Sequence, residues 1–291
     1  EEGDSQFDQL PYLISTHSLV YGYSSSSFFA GKSTNSDAVT SISFAPEYST
    51  QTNTSLRNSF SAKSNNGFSE LMWNKKEAKI IEEVLKGKAY LGADATEKYF
   101  KAKSVDAKVI HLAMHTLVED ENPMNSRLVF YQDSSEMEDG YLHTFELYNM
   151  SLNAKMAVLS ACQTGYGKLL KGEGVVSLAR GFAYAGVPSV VVTHWQVDDQ
   201  STNELMAKFY QYLSQGFAKS YALRQAKLDY LKSASPNKAA PFFWGAFVVI
   251  GDDSPIESPG VSTYFWMIGI VAVILMIFLI FRYTRRMTLT S

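Results

Sequence analysis

Met156-Ala157-Val158-Leu159-Ser160-Ala161-Cys162-Gln163-Thr164-Gly165 is the stretch that decides how this chain folds. A short apolar run closed by small and turn-forming residues suits a strand buried on both faces of a sheet. Similar runs occupy residues 39–44, 107–113, 189–193 and 245–250, and the strand of the quoted stretch covers 156–161. Segments of helical periodicity lie between them, at 74–85, 174–185, 201–213 and 219–231. This alternation predicts an α/β fold, a mostly parallel sheet flanked by helices, with its site at the carboxyl ends of the strands. Asn74 followed three residues later by Glu77 reads as a capping box at the start of the first helix. The Ser/Thr/Asn-rich stretch 49–66 breaks the rhythm and reads as a mobile surface loop.

The 291 residues are 46% hydrophobic and 19% charged, a composition that excludes wholesale disorder. Lys and Arg number 26 against 29 Asp and Glu, for a net charge of −3. The absence of a basic excess to neutralise phosphates argues against general nucleic-acid binding. Cys162 is the one cysteine, so the chain has no disulfide framework and no multi-cysteine zinc site. Opening at Glu1 without Met or an apolar leader, it reads as the C-terminal portion of something longer.

Residues 258–281 carry no charge, and 263–281 are almost wholly apolar. At 1.5 Å per helical residue such a stretch is as long as a bilayer core is thick, which predicts one transmembrane helix. Tyr264, Trp266 and Tyr283 would anchor it at the interfaces. Arg282, Arg285 and Arg286 follow the span, whereas Asp252, Asp253 and Glu257 precede it. The positive-inside rule then predicts a basic cytoplasmic tail at 282–291 and a globular part in a bacterial periplasm, with a cytoplasm-facing domain as the alternative. The expected division is a globular domain over 1–251, a Pro/Gly/Ser linker over 252–262, the span and the tail.

Two strand ends carry chemistry. Val109-Ile110-His111-Leu112-Ala113-Met114-His115-Thr116 delivers His115, and the quoted stretch delivers Cys162, 47 positions later. A cysteine peptidase needs a thiolate, a base to generate it and N–H donors for the oxyanion, all of which strand-end loops can supply. An inert core cysteine is the alternative. His111, four residues before His115, is expected on the same strand face in a supporting role. A metal pair is the sharper alternative there, but the Glu of H-E-x-x-H is missing. His194 ends the 189–193 strand, and Trp195, Asp198 and Asp199 follow it. The two carboxylates could pair with an Arg or Lys of a substrate, or could cap the helix that starts near Ser201. Gly165 would let the backbone turn tightly after the cysteine.

Taken together, HLAMHT, LSACQTG, Gly172-Glu173-Gly174, RGFAYAGVPSVVVTHWQVDD, ALRQAKLDYL and PFFWGAFVVIGD resemble the CHAT domain, a family of the caspase-like, clan CD cysteine peptidases. The likeness runs over roughly residues 13–251. It implies a caspase-like fold with His115 as general base and Cys162 as nucleophile. It also implies oxyanion donors in the backbone N–H groups of Cys162 and Thr116, the latter where the family usually has Gly. Asp199 fits the recurring W-x-V-x-D position and is the first choice for selecting a basic residue, with Asp198, His194 and Trp195 beside it. The expected activity is endoproteolysis of protein or peptide substrates by a membrane-anchored enzyme that needs no metal or other cofactor. A catalytically inactive, membrane-tethered platform for signalling or assembly is the alternative. CHAT domains often follow tetratricopeptide repeats, which could lie upstream of Glu1.

Overall fold

The computed structural model describes residues 7, 10–22, 41–48, 68–119, 121–133, 137–160, 173–195, 197–256 and 269–277, with the backbone alone for 173–177. Stretch 49–66, Cys162, Gly165 and residues 282–291 lie outside the described residues. The strands are β1 (Val20–Tyr21), β2 (Ser41–Ala45), β3 (Lys88–Leu91), β4 (Val109–Leu112), β5 (Thr116–Leu117), β6 (Arg127–Val129), β7 (Tyr141–His143), β8 (Met156–Leu159), β9 (Ser189–Thr193) and β10 (Phe247–Gly251). The helices are α1 (Asn74–Leu85), α2 (Glu97–Lys103), α3 (Thr144–Leu147), α4 (Glu173–Tyr184), α5 (Asp199–Ser214), α6 (Lys219–Ser233) and α7 (Pro241–Trp244).

Among the described residues the main sheet has the order β1-β10-β9-β8-β4-β2-β3, and β5-β6-β7 form a small antiparallel sheet. Strands β3, β2, β4, β8 and β9 are parallel, β10 reverses against β9, and β1 follows β10. The chain is therefore an α/β protein with a mostly parallel, helix-flanked sheet. Successive side chains of a strand alternate between faces, so the continuous apolar runs of the central strands feed two cores. On one face Phe44, Ile110, Leu112 and Val192 pack with Phe100 of α2, Leu147 of α3 and Phe182 of α4. On the other, Val109, Val158, Val191 and Phe247 pack with Ile81 of α1, Phe209 of α5 and Ala226 of α6.

Three expectations change. Trp73, not Asn74, is the N-cap of α1, and no capping box forms there. Glu77 is 2% exposed and turns toward the sheet, where it finds partners that a solvent-facing cap would lack. The start of the predicted linker is also fixed. Lys219 Nζ lies 3.0 Å from the Asp252 carboxylate and 2.6 Å from the Ser254 carbonyl, Asp253 accepts from Ser220 at the head of α6, and Ile256 is buried. One compact unit runs to Ile256, and 257–291 form a second.

The third change overturns the membrane anchor. Among the described residues no helix is long and apolar enough to cross a membrane. The single-pass localisation, the membrane partner, the periplasmic orientation and the bacterial setting all rested on that span and are withdrawn.

Phe44 is fully buried, with ring centroids 4.8 Å from Tyr90, 5.6 Å from Phe100 and 5.8 Å from Phe130. Phe44→Ala is expected to destabilise the domain by about 3–5 kcal/mol, read from the urea midpoint at unchanged slope.

Candidate active site

His115 lies three residues beyond the end of β4, fully buried. Its ring packs against Tyr48, 4.5 Å away, and Phe68, stacked at 5.1 Å. Nε2 lies 2.7 Å from the Ser69 carbonyl, and a carbonyl can only accept, so the proton sits on Nε2 and the lone pair on Nδ1. Nδ1 is buried and has no hydrogen-bond partner among the described residues. Burial lowers the pKa of the imidazole against the opposing pull of the Ser69 carbonyl, so the neutral form is favoured. A neutral histidine with a defined lone pair is equipped to take a proton.

The Tyr48 hydroxyl sets the backbone here. Val129 N–H donates to the His115 carbonyl at 3.0 Å, but the reciprocal rung is interrupted. His115 N–H donates to Tyr48 Oη at 3.0 Å, and that hydroxyl donates to the Val129 carbonyl at 2.8 Å. The next pair, Thr116 and Leu128, is then a non-hydrogen-bonded pair, in which the Thr116 N–H points away from β6. Thr116 has an ordinary strand conformation; Lys86 is the one described non-glycine residue with positive φ. The substitution of Thr for the family's usual Gly therefore brings no backbone strain.

His111 lies within β4, and His115 three residues beyond its end. His111 points to the α1 and α5 side, with Nδ1 3.0 Å from Tyr210 Oη and Nε2 3.0 Å from Glu77 Oε1. The Glu77 contact falls outside hydrogen-bond geometry and is electrostatic. The same Glu77 oxygen accepts a short hydrogen bond from Ser160 Oγ, at the end of β8. Asn74, one turn earlier, donates through Nδ2 to the Pro46 carbonyl after β2 at 2.9 Å and to the Ala113 carbonyl after β4 at 3.3 Å.

After β9, His194 is exposed, with its ring centroid 5.9 Å from that of Tyr21. Partial desolvation of the ring first, and then the Lys227 ammonium, lower its pKa. Trp195 Nε1–H donates to the Phe242 carbonyl at 2.9 Å. Asp198 is the N-cap of α5, accepting from Ser201 N–H at 2.9 Å and Oγ at 2.7 Å, and it pairs with Lys238 at 3.2 Å. Asp199 instead accepts from Trp73 N–H at 2.8 Å, so it caps α1 from outside that helix. Burial raises the Asp199 pKa, opposed by that N–H and reinforced by the negative field of Glu77. Elsewhere, Glu97, Glu138 and Glu146 bring carboxylate oxygens within 4.8 Å of one another, the kind of cluster that takes a cation. Lys101 Nζ already lies 2.7, 2.8 and 2.9 Å from the three.

Tyr48, Phe68, Ser69 and Tyr210 escape the sequence reading. Tyr48, three residues past the end of β2, carries the strand-end position that could have marked it. Ser69 acts through its carbonyl, which leaves no side-chain signal.

Strands β4 and β8 are neighbours, paired Leu112 to Leu159, and Ser160 N–H donates to the Leu112 carbonyl at 3.0 Å. The segment that contains Cys162 starts at Ser160. The class is thus an α/β protein with its histidine and its cysteine-bearing segment issuing from the carboxyl ends of adjacent central strands. The chain belongs to the CHAT domain family, whose sequence profile matches residues 4–252. It is 26% identical over 216 residues to tetratricopeptide repeat protein 28 of Mus musculus; the match covers 63% of this chain but 9% of that relative. Among solved structures it is similar to the Arg-specific cysteine proteinase gingipain R of Porphyromonas gingivalis, with a TM-score of 0.45 and 10% identity over 75% of this chain and 47% of that one. It is also similar to a chain of the Saccharomyces cerevisiae separase–securin complex, with a TM-score of 0.38 and 13% identity over 74% and 12%.

Tyr48→Phe keeps the packed ring but strips a hydroxyl from between two backbone groups, with an expected cost of about 2 kcal/mol in denaturant unfolding. His115 should titrate below about 6.5 in the folded protein, followed by its ring NMR signals. Because the folded-state value is the lower one, its contribution to stability is complete above about 6.5 and is lost as pH falls through the folded value.

Proposed function

We propose that this chain is a cysteine endopeptidase domain that cleaves peptide bonds through His115 and Cys162. The observation that carries the proposal is the unpartnered, buried Nδ1 lone pair of His115 at a strand end adjacent to the one from which the cysteine segment starts. In this reading the imidazole takes the thiol proton and the sulfur attacks the scissile carbonyl carbon. The C–N bond breaks as the imidazolium returns the proton to the leaving amine. Water, activated by the same base, then hydrolyses the thioester. The N–H groups of Thr116 and Cys162 would hold the oxyanion.

Selection of a basic side chain is assigned to Asp199 before Asp198. Asp198 already has Lys238, whereas Asp199 has backbone donors and no cationic partner among the described residues. His194 and Trp195 would border the same subsite. The tetratricopeptide relative supports a further element of the proposal, that repeats precede the domain in the full-length protein. A second reading, an inactive platform for signalling or assembly, is favoured by the complete burial of the His115 ring.

A peptide acyloxymethyl ketone with a terminal Arg separates the two. The peptidase reading expects covalent labelling that Cys162→Ala abolishes and His115→Ala slows by roughly 100-fold, with the acid limb of kcat/KM below about 6.5. Labelling that ignores His115→Ala favours the platform. Asp199→Asn retains an acceptor for Trp73 and should weaken the preference for Arg over Leu; an unaltered preference removes Asp199 from the subsite.

A further inference from the structure

Lys101 of α2 is the meeting point of three glutamates from three parts of the chain. Its Nζ lies 2.7 Å from Glu97 one turn earlier on the same helix, 2.8 Å from Glu138 just ahead of β7, and 2.9 Å from Glu146 of α3. An ammonium has three N–H donors, so each carboxylate takes one. The other Glu97 oxygen accepts from the Gly140 N–H at 3.1 Å, and the other Glu146 oxygen accepts from the His143 N–H at the head of α3 at 2.9 Å. The Gly140 carbonyl accepts from the Phe130 N–H at 2.8 Å, and the Tyr131 N–H donates at 2.9 Å to the Ala95 carbonyl, one residue ahead of the Thr96 cap of α2. The small antiparallel sheet is thus fastened to α2 at one end. At the other, Val129 holds the His115 carbonyl directly and its N–H through Tyr48.

Hydrogen bonds are balanced here, but charge is not. Three carboxylates against one ammonium leave −2 when all are ionised, and Glu97 is 1% exposed. A buried surplus of one sign is relieved by binding a proton. We propose that Glu97, Lys101, Glu138 and Glu146 form a proton-operated clasp that fastens the small sheet, and with it the backbone of His115, to α2: closed when Glu97 is protonated and loosened when it ionises. Lys101 from its own helix, Glu138 from ahead of β7 and Glu146 from α3 are the ionisable groups that act on Glu97. Burial raises the Glu97 pKa to about 7; Lys101 opposes the rise, and the fields of Glu146 and Glu138 add to it. Burial acts downward on Lys101, but hydrogen bonds to the three carboxylates prevail and raise its pKa, so the ammonium stays charged. A proton on Glu97 leaves one oxygen to accept from Gly140 and halves the excess charge. Because the folded value lies above the ordinary 4.5, the clasp's contribution to stability is complete below about 4.5 and is lost as pH rises through about 7. The clasp stands whether or not the domain cleaves peptides.

The amides of Phe130, Tyr131 and Gly140 report on the clasp directly, with those of β9 as the reference. Their hydrogen exchange would be followed by NMR on the whole chain from about pH 5 to about pH 9, each rate divided by that of an unstructured peptide at the same pH. Protection of the three amides should fall by roughly tenfold between about pH 5 and about pH 8, while that of β9 holds. Glu97→Gln, a neutral near-isostere of the protonated side chain, should be flat across that range and as protected at the alkaline end as the wild type is at the acid end. The carboxyl 13C signals of the wild type give a measurement that needs no variant: one glutamate should titrate with a midpoint of about 7. Flat wild-type protection, a decline shared equally by β9, a Glu97→Gln variant with the wild-type slope, or glutamates that all titrate near 4.5 would each overturn the proposal.

Discussion

Four strand ends are gathered by a single helical turn, Trp73 to Glu77. Asn74 takes carbonyls that follow β2 and β4, Glu77 takes the hydroxyl that ends β8, and the Trp73 N–H is satisfied by Asp199, which follows β9. Where parallel strands end, backbone and side-chain polar groups lose their ladder partners while still buried, and each must be satisfied locally. A helix N-terminus offers unpaired donors at the same place. Joining the two problems satisfies both, and it ties the geometry of the candidate site to one point of the fold.

The two histidines of HLAMHT have different surroundings because the strand ends between them. His111 is still in β4, and its face is dictated by alternation against Ser43 and Val158. His115 is past the ladder, so its orientation is set by Tyr48, Phe68 and the Ser69 carbonyl. Both are fully buried, yet one has a carboxylate at Nε2 and the other has a carbonyl. For His115, burial in an apolar setting with a single carbonyl partner favours the neutral form.

Much of the main sheet was legible in the chain. Residues 189–193 coincide with β9, and 74–85 with α1, because continuous apolar runs and a clean 3.6-residue period are local properties. The edges were not. β1 and β3 are short or partly exposed, and the β5-β6-β7 sheet is made of strands of two or three residues whose pairing depends on partners elsewhere. Asp198 does cap the helix after it, one of the two roles its position allowed, while the neighbouring Asp199 caps a helix 126 positions away. The apolar C-terminal stretch misled for the converse reason: hydropathy measures composition, and among the described residues no helix is long and apolar enough to cross a membrane.

What the amino-acid order determined by itself was the alternation of strand and helix, the layered α/β class, and the residues of HLAMHT and LSACQTG as the chemically distinctive ones. These are consequences of short-range periodicity and side-chain type. The tertiary structure alone decided which ring nitrogen of His115 keeps the lone pair, that Tyr48 replaces a rung of the ladder beside it, and that Glu77 serves the sheet and not its own helix cap. Each of these depends on a buried polar atom finding a partner far along the chain, and such partners are chosen by packing, which no local pattern encodes.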